Sequence, residues 1–226
     1  MKEELRIAMA EFMGTFALCF IGAGAICTNQ WTGGEVGLLG IAVAHGTVLA
    51  VMISALGHIS GGHFNPAVTA GVVVAGKLSV QKAAVYFLAQ LAGAAVAAFV
   101  LSVIVPDHVW QPVNLGTPGL TAGITPLQGI LLEAILTFFL VLTVFGTAVD
   151  PKGSWNAIAG FGIGTVLIFD ILVGGPLTGA AMNPARAFGP ALVSGFWDHH
   201  WVYWVGPLLG GVLAGSLYTA IFLRKR

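Results

Sequence analysis

The sequence predicts an all-α membrane protein: six transmembrane helices and two half-length re-entrant helices, arranged as an inverted internal repeat. Three observations carry that expectation. The chain is too apolar to coat a soluble fold, six stretches are long enough to cross a bilayer, and its two halves match each other.

Of 226 residues, 57% are hydrophobic and 8% are charged, against about 25% charged in an ordinary soluble domain. Such a chain can fill a core but cannot cover it. Its 32 glycines suit membrane helices, whose backbones approach closely over small residues. The net charge of zero gives no support to a nucleic-acid partner, so the lipid bilayer is the partner that composition requires. Cys19 and Cys27 lie eight residues apart in one apolar segment. That is outside comfortable disulfide geometry on a single helix, and both read as small packing residues. No metal site and no cofactor is expected.

Crossing the hydrocarbon takes roughly 20 apolar residues, which places spans at approximately 6–28, 36–58, 82–105, 127–149, 155–174 and 201–223. The first, with Lys2 and Arg6 before it, is too long for the core of a signal peptide and reads as a retained span. Trp31, Trp110, Trp155, Trp201 and Trp204 fall near the proposed ends, as an interfacial aromatic belt requires. Lys2, Arg6, Lys77, Lys82, Lys152, Arg224, Lys225 and Arg226 all fall on one side of this layout. The other side holds Glu35, Asp107 and Asp198, with Arg186 its single basic residue. The positive-inside rule then puts both termini in the cytoplasm.

Two apolar segments, from about Asn65 to Gly76 and from about Asn183 to Gly195, are only a dozen residues long. As helices they cover about 18 Å, a little over half the hydrocarbon. Each follows a Gly-rich stretch and opens on Asn-Pro. Asn is a good helix cap, and Pro suits the first turn because its missing N–H has no intrahelical partner there. These are half-helices, tolerated at membrane depth only where protein or a water-filled cavity surrounds them.

The halves align without gaps around these segments: residues 60–67 (Ser-Gly-Gly-His-Phe-Asn-Pro-Ala) match 178–185 (Thr-Gly-Ala-Ala-Met-Asn-Pro-Ala) at an offset of 118. Glu11, Thr15 and Phe16 match Glu133, Thr137 and Phe138, while Tyr86 and Gly93 match Tyr203 and Gly210. One membrane domain over 1–226 is expected, built of repeats at approximately 5–105 and 127–223. Three spans per repeat force the second to be inverted, so the half-helices enter from opposite faces and their N-termini meet near the midplane.

The paired Asn-Pro-Ala boxes, the Glu-x-x-x-Thr-Phe starts and the Arg directly after the second box resemble the aquaporin (major intrinsic protein) family over essentially the whole chain. The resemblance implies six tilted helices and two half-helices around one pore, a homotetramer with a pore per subunit, and passive passage of water and small neutral solutes. It implies no enzymatic activity. Asn65, Pro66, Ala67 and Asn183, Pro184, Ala185 form the boxes. A capping role alone explains one box but not two related ones. The Asn amides can donate to a permeating oxygen, and two positive helix ends oppose cations. By resemblance, backbone carbonyls of Gly61, Gly62, His63, Phe64, Gly179, Ala180 and Ala181 line the path. Glu11 and Glu133, acids inside spans, match family positions that accept hydrogen bonds from the re-entrant loops; a proton relay is the alternative reading of such groups.

Arg186 is the only basic residue at membrane depth, and by resemblance it belongs to the narrowest constriction. The other positions of that ring fall on His45, Ile171 and Ala180. Strict bacterial-type water channels usually carry Phe, His and Thr there, and glycerol facilitators Trp, Gly and Phe. The set here is similar instead to the plant vacuolar-membrane and animal ammonia-permeable branches, which pass water and variously ammonia, urea or hydrogen peroxide. Asp170-Ile171-Leu172 and the run from Trp201 to Pro207 point the same way. Some members of those branches add a His in the long loop beside the Arg; the stretch around Gly116 to Gly119 holds none. A coupled transporter would want ionisable groups at the midplane, where the boxes supply neutral Asn. A cation channel would want acidic or carbonyl rings without an Arg at the mouth.

Overall fold

The computed structural model describes residues 2–153 and 158–223. Trp155 of the proposed aromatic belt, the first residues of the proposed fifth span, and the basic residues Arg224, Lys225 and Arg226 lie outside the described residues. The described chain holds six helices long and apolar enough to cross a membrane: α1 (Lys2–Trp31), α2 (Gly37–Ser60), α4 (Val80–Ile104), α6 (Pro126–Val144), α7 (Ala159–Thr178) and α9 (Val202–Ile221). The sixfold pattern of spans is as expected. Between them sit two short helices, α3 (Pro66–Val74) and α8 (Pro184–Ser194), and one turn of helix, α5 (Asp107–Trp110). No strand occurs among the described residues.

Local signals account for most boundaries. Thr125 and Gln128 close a capping box around Pro126 at the start of α6, satisfying donors that a helix N-terminus otherwise leaves open. Asn65 and Asn183 cap α3 and α8, with Pro at the first position of each. The fifth span differs from expectation. It runs to Thr178 rather than 174, because Gly174-Gly175-Pro176 does not break it. Pro176 lies inside the final turn, and the left-handed Gly179 (φ +81°) makes the actual stop by returning its N–H to Gly175. Gly61, at φ +91°, ends α2 in the same way.

The helices pack as crossed pairs: α1 on α4, α6 on α9, α2 on α7, with α3 lying on α9 and α8 on α4. Glycine at helical spacing permits these approaches. On α9, a Cβ at Gly210 would collide with the Ala134 carbonyl of α6, while Cβ atoms at Gly211 and Gly215 would collide with Ala67 and Gly71 of α3. Gly160 and Gly164 play the same part for α7 against Ala50 and Gly46 of α2. Gly93 of α4 meets the Phe12 carbonyl of α1 as Gly210 meets Ala134 of α6. Cys19 and Cys27 are free and buried, as small packing residues would be. Large apolar side chains cover the outside, Leu88, Val103, Leu127 and Phe161 among them, the surface that a bilayer solvates.

Candidate functional site

The two half-helices meet end to end, each held by the other. Asn65 accepts the Ala67 N–H through its Oδ1 (2.8 Å) and donates from Nδ2 to the Met182 carbonyl (2.8 Å). Asn183 accepts from the N–H groups of Ala185 (3.0 Å) and Arg186 (3.2 Å) and donates to the Phe64 carbonyl (2.8 Å). Each amide has two N–H bonds, so one on each Asn is left after the cross-tie. Pro66, Ala67, Pro184 and Ala185, which follow them, are buried.

The loops that feed the half-helices hang on the two intramembrane acids. Glu11 Oε1 accepts from the Ser60 hydroxyl (2.6 Å) and His63 N–H (3.0 Å), and its Oε2 from Phe64 N–H (2.7 Å) and Gln90 Nε2 (2.8 Å). Glu133 repeats the set with the Thr178 hydroxyl (2.7 Å), Ala181 N–H (3.0 Å) and Met182 N–H (2.7 Å). Tyr86 donates to the Ser60 carbonyl (2.5 Å) and Tyr203 to the Thr178 carbonyl (2.8 Å). Irregular backbone at this depth must find every partner within the protein, and these bonds are how it does so. Both loops also bend through left-handed residues just before the Asn, Phe64 at φ +48° and Met182 at φ +51°.

The halves differ in one respect that sequence reasoning missed. Gln90 bridges Glu11 and Thr69, and Thr69 also meets His63 Nδ1 at 3.0 Å. The second half has Pro207, Ala187 and Ala181 at the matching offsets. A lone Gln inside an apolar span was the available signal, since such a group needs a partner in the bundle.

A narrow cavity occupies the centre, lined by Asn65 and Asn183 and by His45, Ile171, Ala180 and Arg186. Gly62, His63 and Ala181 line it as well, against an apolar wall that includes Leu49, Val68 and Leu140. A second, more open space lies beyond Arg186, and it shares three residues with the first: His45, Ile171 and Arg186. Those three stand at the junction of the two spaces, the neck. On the opposite side a third space shares Ile53 with the central cavity. Of the expected backbone acceptors, Gly179 lies in the space beyond Arg186 and Gly61 in the opposite one. Phe64 is not among the residues lining the central cavity: its N–H is bound to Glu11, its ring is fully buried against Gly14, and its carbonyl accepts from Asn183 with one lone pair left over.

At the neck, Arg186 donates from Nη1 to the Gly116 carbonyl (2.9 Å), and its Nη2 lies 3.4 Å from His45 Nε2. His45 Nδ1 is 2.9 Å from the Ile41 carbonyl. A carbonyl only accepts, so Nδ1 carries the proton and Nε2 turns its lone pair to the guanidinium. Gly116 thus enters as a support that orients the Arg. Asp170, beside Ile171, is 1% exposed and its Oδ2 has no hydrogen-bond partner among the described residues; nothing in the structure explains it.

Residues 1–218 match the family model described as Major intrinsic protein. The chain belongs to the major intrinsic protein family. It is 45% identical over 229 residues to Aquaporin TIP4-4 of Zea mays, covering 98% of this chain and 88% of that one. It is 44% identical over 232 residues to Probable aquaporin TIP3-2 of Arabidopsis thaliana, covering 98% and 85%. These relatives agree with the plant vacuolar-membrane branch that the neck residues resemble. Among solved structures, the aquaglyceroporin from Plasmodium falciparum superposes with a TM-score of 0.87 at 26% identity, covering 96% of each chain. The chain is therefore an integral multi-pass membrane protein with the aquaporin fold. Members of this family are channels rather than enzymes, and membership gives the chain their class of activity, passive passage of water and small solutes.

Proposed function

We propose that the central cavity is a pore for water and small neutral solutes, ammonia foremost and urea or hydrogen peroxide next, and that it excludes protons and ions. The observation that carries this reading is the neck: His45, Ile171 and Arg186 are the three residues common to the central cavity and the space beyond it. A solute there meets a guanidinium with N–H bonds to spare on one side and the greasy face of Ile171 on the other. Deeper in, the spare N–H of Asn65 and of Asn183 donates to the passing oxygen. Gly62, His63 and Ala181 offer carbonyls beside apolar walls, so water exchanges partners in single file. Cations face the fixed charge of Arg186 and the positive ends of α3 and α8.

The matched hydrogen bonds of Glu11 and Glu133, and of Tyr86 and Tyr203, support one domain built of two inverted repeats. The basic residues Lys2, Arg6, Lys77, Lys82 and Lys152 support cytoplasmic termini, with Arg186 toward the outer mouth. Family membership supports a homotetramer with a pore in each subunit.

The neck sets solute choice in this account. Ala180 keeps one wall small, and His45 with Arg186 places the polar groups opposite Ile171. Ammonia, close to water in size, should cross measurably, while glycerol should pass poorly for want of a broad aromatic cradle. The double substitution His45→Phe with Ile171→His should lower ammonia permeability more than water permeability in stopped-flow traces at matched reconstitution. An ammonia-to-water ratio that does not move would count against the neck as the selecting element.

A further inference from the structure

The His45 ring is held at two points and pressed against a third. Its Nδ1 binds Ile41 of its own helix and its Nε2 faces Arg186 of α8. The third is Gly22 of α1, where a Cβ would overlap Nε2, Cδ2 and Cε1 of the imidazole. Those atoms make up the ring edge that Arg186 approaches. We infer that Gly22 is a specificity-determining positioning residue: by carrying no side chain it seats the His45 imidazole against α1 and so keeps it clear of the neck.

The direction of the effect follows from what surrounds the ring. Ile41 anchors its near edge, α1 closes one side, and the side left open is the one on which His45 lines both the central cavity and the space beyond. A methyl group at position 22 therefore drives the ring into the neck and parts Nε2 from Arg186. The second half carries the opposite solution. At the offset that relates Glu11 to Glu133, Gly22 matches Val144, and at the offset of the boxes His45 matches Ile163. Val144 and Ile163 both line the cavity. A β-branched residue stands there where no imidazole needs a seat. Gly24, two residues on, is different again: its Cβ would lie 3.5 Å from Leu101 Cδ2, ordinary contact.

This inference rests on His45 belonging to the selecting neck, and the experiment separates the two. Gly22→Ala, His45→Ala, the double variant and Gly24→Ala as control are purified, reconstituted at matched density, and compared for water and ammonia permeability and for folded yield. Gly22→Ala should lower water permeability several-fold and shift the ammonia-to-water ratio, whereas Gly24→Ala should do neither. Removing the ring removes the clash, so the double variant should behave as His45→Ala alone. Should Gly22→Ala fail to fold, recovery of folded protein in the double variant would support the same seat. Gly22→Ala that conducts like the unchanged chain, or a defect that persists without the ring, overturns the inference and leaves Gly22 as a helix-packing residue. If His45→Ala itself leaves the ratio unmoved, the reading of the neck falls and this inference with it. If His45→Ala shifts the ratio while Gly22→Ala does not, only the inference falls.

Discussion

Glu11→Leu is expected to leave almost no folded protein. The substitution strips the acceptor from two backbone N–H groups, the part-buried one of His63 and the buried one of Phe64, and from the Ser60 hydroxyl and the Gln90 amide. Each buried group left unpaired costs about 1–3 kcal/mol, and a whole fold is stable by about 5–15 kcal/mol. Loss of the backbone pair alone consumes a large share of that margin. Glu11→Gln keeps one oxygen for two of the four donors and should retain an intermediate fraction. Glu133 serves three donors rather than four, so Glu133→Leu should be less damaging than Glu11→Leu, and Glu133→Gln milder still. The measurement is the monodisperse fraction in size exclusion and the thermal midpoint in one detergent. Equal losses for Gln and Leu at position 133 would mean that the charge itself is required, which the acceptor role does not predict.

Arg186→Leu should produce the largest change in selectivity. Arg186 is buried, and its side chain is positioned by Gly116 and His45 at the neck. A cation about 6 Å from a guanidinium meets a repulsion of about 3 kcal/mol at an effective dielectric of 20. Removing it should raise cation leak by about a hundredfold from a very low base. The helix ends behind Asn65 and Asn183 remain, so the variant should still conduct ions poorly in absolute terms. The shorter, apolar side chain also widens the neck, and urea permeability should rise with it. Flux of a cation-sensitive dye and urea swelling, measured on the same vesicles, check both effects. Leak and urea uptake identical to the unchanged chain would remove Arg186 from the barrier.

Much of this arrangement is legible in the sequence because the membrane punishes ambiguity. Glu11 and Glu133 sit inside apolar spans, where an acid must find partners, and their shared neighbours Thr15 and Thr137 mark them as related. Asn65 and Asn183 announce short capped helices through Asn-Pro and a segment too short to span. What escapes is whatever depends on helix rotation and on contacts between distant segments. Gly22 meets His45 only once α1 and α2 are set face to face, and Gly116 meets Arg186 across 70 residues of chain. The bridge from Gln90 to Glu11 and Thr69 has no counterpart in the second half, so reading one repeat from the other hides it. Pro176 misleads because in sequence it looks like a stop, whereas the helix continues through it to Thr178 and ends on the left-handed Gly179.

A passive pore for neutral solutes moves water without moving charge. Purified protein in liposomes, taken through an osmotic jump in a stopped-flow cell with pH-sensitive and potential-sensitive dyes in the same preparation, tests that directly. The prediction is vesicle shrinkage far faster than in empty liposomes, with a low activation energy and no movement of protons or charge. Shrinkage at the rate of empty liposomes, or water flux accompanied by current, would contradict it.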